Sequence, residues 1–203
     1  IFEAMQRKET FATSGPRIKL RFFAGWDLEV DSLTSNDWLE NAYANGVPMG
    51  SDLNHEPSTV NRSPSFIIQA IKDGESANLD RVQIIKGYLD KEGNPQEKIF
   101  EVVWAGDRAI AANGKLPAIG NTVDIPNATY TNSIGVVSLQ TIWTDPEFDA
   151  AQSAFYYVRV LEIPTPRQSL YDAVALQQTP PETHPAVIQE RAYSSPIWYN
   201  ASR

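Results

Sequence analysis

Cysteine is absent from the 203 residues, which excludes disulfide staples, thiolate nucleophiles and Cys-ligated zinc. That absence leaves the compartment open, the periplasm and the exterior included, because cytosolic and exported proteins alike can lack the residue. Histidine is almost absent too. His55 lies in the polar loop "SDLNHEP" and His184 in the proline-rich "PPETHPAV", far apart in the chain. A catalytic zinc takes three protein ligands, commonly two or three of them His, so no metal centre built wholly from this chain is expected. Basic residues are outnumbered, 17 against 25 acidic, and the net charge of -8 argues against a nucleic-acid partner. No apolar run approaches the roughly 20 residues of a membrane span. The Gly-x-Ser-x-Gly elbow and the Gly-rich phosphate loop are both missing, and neither histidine has an evident serine partner.

What is present reads as β. Apolar residues make up 42% and charged residues 21%, ordinary for a folded chain of this length. In "RIKLRFF", Ile18, Leu20 and Phe22 alternate against Arg17, Lys19 and Arg21, as on a half-buried antiparallel strand. "SFIIQAIK" and "DRVQIIKGYLD" are Ile- and Val-rich, and Gly93-Asn94-Pro95 between "DRVQIIKGYLD" and "EKIFEVVW" suits a hairpin connection. "YTNSIGVVSLQTIWTD" and "SAFYYVRVLEI" read as two long strands. In the second, Phe155, Tyr157, Arg159 and Leu161 oppose Tyr156, Val158, Val160 and Glu162. A short helix is expected in "SNDWLENAYANG", capped by Ser35 and ended by Gly46, and "IFEAMQRK" reads as the end of another. The segment from Pro164 onward is proline-rich and is expected to wrap the body. It closes on an edge strand at Ile197 to Tyr199, behind Pro196. Short strands with turns between them predict a mainly β fold, an antiparallel, immunoglobulin-like sandwich with long loops and one or two short helices.

Candidate chemistry is sparse. Asp27, Glu29 and Asp31 would share one side of a strand, and Asp145, Glu147 and Asp149 share a turn; either trio could hold calcium through oxygen ligands. Neither has the spacing of a dedicated calcium loop, and solvated acids at strand ends are the plainer reading. The aromatics could form a platform for a sugar or polymer, with Trp38 and Tyr43 in the helix, or Trp198 and Tyr199 near the end, as its members. A β core would account for the same residues. Asn61, Asn127 and Asn200 open Asn-x-Ser/Thr sequons, which matter only where secreted proteins are glycosylated.

The motifs "RKETFATSGPRIKLRFFAGW", "GVPMGSDL", "LDRVQIIKGYLD", "GNTVDIPNATYTNSIG", "WTDPEFDAAQSAFYYVRVLEIPTPR" and "IQERAYSSPIWY" resemble the C-terminal part of a bacterial family, the domain of unknown function 3604. The resemblance spans nearly the whole chain. In their front portion, full-length relatives are similar to metal-dependent hydrolases of the polymerase-and-histidinol-phosphatase type, whose barrel holds divalent metal ions on His and Asp. The resemblance therefore implies that residues 1–16 are the trailing helix and turn of an upstream α/β barrel, and that 17–203 form an appended sandwich with a proline-rich extension over 164–203. It implies a non-catalytic domain that braces the barrel or shapes its substrate entrance, with no cofactor of its own and the metals upstream. A carbohydrate- or polymer-binding module is the alternative. Thr13, Ser14 and Arg17, at the seam, are the nearest thing to catalytic candidates, and a turn-forming role suits them better. Ile1, Phe2 and Met5 would be apolar remnants of a domain contact, able to drive self-association.

Overall fold

The computed structural model describes residues 1–28, 33, 35–54 and 62–201. The chain begins with α1 (Phe2–Gln6), β1 (Phe11–Thr13), β2 (Lys19–Gly25), α2 (Trp38–Asn45), β3 (Val47–Pro48) and β4 (Asp52–Leu53). It continues through β5 (Ser65–Ile71), β6 (Leu79–Leu89), β7 (Pro95–Trp104), β8 (Ser138–Thr144) and β9 (Ala154–Glu162). It ends with β10 (Thr165–Pro166), α3 (Gln168–Ala175), β11 (Val187–Ile188), β12 (Arg191–Ser194) and β13 (Ile197–Tyr199).

Two sheets pack face to face as a β-sandwich. The smaller has the order β3-β2-β5-β8 and is antiparallel throughout. In the larger, β6 lies between β7 and β9, and β9 passes on to β12 along one half and β13 along the other. β1 and β4 finish that side, β1 against β12 and β4 parallel to β13. Alternation dictates the core. Ile18, Leu20 and Phe22 face inward as expected, and meet Phe66, Ile68 and Ala70 of β5 and Tyr156, Val158 and Val160 of β9. Phe66 is the hub, with ring centroids 4.6 Å from Tyr156, 5.7 Å from Trp143 and 5.8 Å from Phe22. On the outer face of the small sheet Phe23 and Ile67 are buried as well, because α2 and Leu28 cover them.

Several expectations shift in register or length. The "KEGNP" connection is the predicted hairpin: Gly93 takes a left-handed φ of +83°, and Asp90 accepts from the Glu92 and Asn94 amides. α2 starts at Trp38 behind Asp37 rather than at Ser35, whose hydroxyl bonds the Asp37 carboxylate instead. The strand expected from Tyr130 begins only at Ser138, since the preceding residues run as loop. Ile197 to Tyr199 is not an edge strand. It pairs with β9 on one side and β4 on the other, and Pro196 sits in the break between β12 and β13, where no ladder amide is required. The proline-rich extension thus contributes strands to the centre of the large sheet. Residues 11–13, expected in a trailing turn, are stitched into the same sheet through Phe11–Ser194 and Thr13–Ala192. Among the described residues no helix is long and apolar enough to cross a membrane.

Candidate functional site

The outer face of the large sheet carries a row of solvent-facing aromatic side chains, Trp198 exposed and Phe155, Tyr157 and Tyr193 half-buried. Register sets Glu97 beside Gly87, Gly87 beside Phe155, Phe155 beside Trp198 and Trp198 beside Asp52, one row across five strands. Tyr157 follows Phe155 along β9 in a near-parallel stack, 6.4 Å between centroids, and Tyr193 lies 6.3 Å beyond it. Next to this stripe comes a polar ladder: Arg159 donates to Gln83, which donates to Glu101, which also accepts from Arg81. Burial raises the Tyr193 hydroxyl, but Arg191 and Arg159 outweigh it and hold the group below its ordinary pKa. Two hollows flank Trp198. One, of about 530 Å³, lies over Gly87 and Phe155; the other, of about 730 Å³, lies between Trp198, Pro196 and Met5 of α1.

Of the four aromatics singled out from sequence, only Trp198 belongs to this face, 41% exposed. Tyr199 points inward, 1% exposed, with its ring edge-on to Trp26 and Phe148 and its hydroxyl donating 2.8 Å to the Ala150 carbonyl. Adjacent strand residues must face opposite ways, which is why the pair cannot act together. Trp38 and Tyr43 lie across the sandwich on α2. Trp38 packs on the patch around Phe23, and Tyr43 meets Phe23 edge-on at 4.8 Å while bonding Glu9.

The seam residues fasten strands. Thr13 pairs with Ala192, Ser14 bonds the Glu190 carboxylate and accepts from the Arg191 amide at 2.9 Å, and Arg17 pairs with Asp73 and Glu75. The acidic turn does not converge. Asp145, 0% exposed, accepts from Lys86 Nζ at 2.6 Å and from the Tyr156 hydroxyl at 2.8 Å, whereas Glu147 pairs with Lys98 and Asp149 holds the Ala151 amide. A calcium ion would have to displace the Lys86 ammonium, so the solvated-acid reading and the calcium reading both miss Asp145. Among the described residues no three His, Cys, Asp or Glu side chains are grouped to hold a metal ion. Glu29, Asp31, His55 and Asn61 lie outside the described residues.

Three features escaped the sequence. His184 does have a serine partner: its Nε2 lies 3.1 Å from Ser169 Oγ on α3, and its Nδ1 lies 3.0 Å from Thr183 Oγ1, all of it at the surface. Asp80, 0% exposed, accepts from Arg108 at 2.6 Å, Arg81 at 2.9 Å and Gln189 at 2.9 Å, tying the long β7–β8 loop to the sheet. Glu162 closes the inward row of β9 as a buried carboxyl. An acid in the apolar phase of a strand was the visible signal for it.

No curated protein and no solved structure matches this chain significantly. A family model does match, over residues 1–201, and its description is "protein of unknown function (DUF3604)". The sequence motifs, the sandwich they fold into and that match, which takes in nearly every residue, agree: the chain belongs to the DUF3604 family of proteins of unknown function.

Proposed function

We propose that this chain is a non-catalytic β-sandwich unit of a larger metal-dependent hydrolase, and that it packs against the catalytic barrel through α1 and the hollow beside it. One observation carries the reading. α1 buries none of its residues, Ile1 is fully exposed and Phe2 and Met5 are 77% and 63% exposed, and Met5 lines the hollow with Pro196 and Trp198. Contiguous exposed apolar surface of this kind favours a covering partner. The metal ions belong to the barrel, as the resemblance implies.

The test is a longer polypeptide that includes the upstream neighbour. It is expected to carry divalent metal in stoichiometric amount and to melt above residues 1–203. Phe2→Ser with Met5→Ser should erase that gain while leaving the melting of residues 1–203 unchanged. Equal melting temperatures for the long and short forms would rule out a docked interface.

A second reading, the saccharide-binding module, is favoured by Phe155, whose ring centroid lies 5.1 Å from that of Trp198 in the other hollow that Trp198 lines.

A further inference from the structure

Gly87 is the key to the aromatic row. A Cβ built on it would stand 2.2 Å from Cζ of Phe155, so the ring reaches across the strand boundary and lies down on the glycine. Any larger residue at position 87 would force Phe155 to stand up from the sheet. Trp198 flanks it at 5.1 Å between centroids, tilted by 46°. The result is a pair of broad aromatic walls sunk into an otherwise pleated surface. The groove over them, about 530 Å³, is of the size that takes a small ligand. It is also not closed at its far end. Leu89 and Ser153 line it and line a polar hollow of about 330 Å³ as well, in which Lys91, Asp149 and Gln152 stand.

We propose that this trough binds a neutral oligosaccharide, with one ring seated on Phe155 and Trp198 and the chain running toward Lys91 and Gln152. The chemistry selects the class. A sugar ring offers an apolar C–H face to an aromatic ring and a rim of hydroxyls that both donate and accept. Glu97 and Asn200 at the groove edge, then Lys91 and Gln152 beyond, supply acceptors and donors to such a rim. The net charge of -8 disfavours an acidic polymer. A proline-rich peptide would use the aromatic walls and its carbonyls would accept from Asn200 and Lys91, but with few N–H groups it would leave the Glu97 carboxylate without a donor. The site shares Trp198 with the docking hollow but no other residue; it rests on the saccharide reading above and not on the docking reading.

The experiment titrates residues 1–203 with cellohexaose, xylohexaose and maltohexaose, following calorimetric heat and tryptophan fluorescence. At least one hexasaccharide is expected to bind saturably and to shift the tryptophan emission, a shift that Trp198→Ala should abolish. Trp198→Ala and Glu97→Ala should each weaken binding by about tenfold or more, with far-UV circular dichroism unchanged. Glu97 is exposed, so its variant tests the site even if the tryptophan variant fails to fold. No binding by any of the three sugars overturns the proposal, as does binding that survives both substitutions. A proline-rich decapeptide is expected to give no heat, and its binding in place of the sugars would make the groove a peptide site and sink the inference. None of these results bears on the docking interface, which is read from melting of the longer polypeptide.

Discussion

Asp145→Ala should destabilise the protein by about 3–5 kcal/mol, the loss typical of breaking a buried ion pair from one side. Lys86 and Asp145 are 3% and 0% exposed and lie inside the apolar core, with Nζ 2.6 Å from Oδ2. The substitution leaves an ammonium group buried with only the Glu147 carbonyl, at 2.8 Å, as a hydrogen-bond acceptor among the described residues. It also takes away the acceptor of the Tyr156 hydroxyl, which burial first and the Asp145 charge second hold protonated, well above the ordinary phenol range. The Asp145 Oδ1 bond to the Glu147 amide, 2.8 Å, is lost as well, so the turn after β8 loosens. Since domains of this size are stable by only about 5–15 kcal/mol, the variant loses roughly a fifth or more of its margin. Its melting temperature should fall by roughly 10 °C. The double variant Lys86→Met with Asp145→Leu removes both charges and should recover most of the loss, because desolvating an ion pair offsets much of its attraction. Urea titrations of the three proteins decide the matter. A single variant within about 1 kcal/mol of the parent would mean that the pair is solvated or dispensable.

How much of this could be read in advance follows from where each piece of information resides. The strand β9 is legible because alternation is local: Tyr156, Val158 and Val160 go inward whatever the neighbouring strand is. The hairpin at Gly93 is legible because turn chemistry is local too. The break at Pro196 reads from sequence as a strand edge, since the missing amide is visible but β4 pairing on the far side is not. Gly87 becomes a floor for an aromatic ring only because register puts Phe155 beside it, which the strand's own sequence does not show. The same holds for Asp145, Asp80 and His184. Their roles are set by Lys86, Arg108 and Ser169, and nothing in the spacing of those residues announces the pairing. The candidate site is thus half legible. Trp198 could be picked out as an aromatic near the end of the chain, but which of Trp198 and Tyr199 faces outward is decided by β13's register against β9.

Glu162 sets the second large effect, a pH dependence that runs opposite to most carboxylates. The side chain is 0% exposed; Oε2 accepts from Ser76 Oγ at 2.8 Å, and Oε1 has no hydrogen-bond partner among the described residues. Burial raises its pKa from 4.5 to about 7, against the lowering pull of Ser76, the Ala77 amide and Lys72, and with a further push from Glu190. Folding is therefore linked to proton uptake. Below pH 4.5 both folded and unfolded chains hold the proton and the full stability is present. Between 4.5 and about 7 the unfolded chain ionises while the folded one does not, so stability declines as pH rises, and above that it levels off. The difference between the two values corresponds to roughly 3 kcal/mol. Glu162→Gln cannot ionise, so its stability relative to the parent should climb by about that amount between pH 4 and pH 8. Ser76→Ala, by removing the donor that favours the ionised form, should shift the decline to lower stability at high pH rather than abolish it. Urea unfolding of parent and Glu162→Gln at pH 4, 6 and 8 reads this as a difference of slopes, which cancels every other titrating group. Parallel curves for the two proteins would show that the Glu162 carboxyl titrates in the fold as it does in the unfolded chain, and that its surroundings are wetter than the packing of β9 implies.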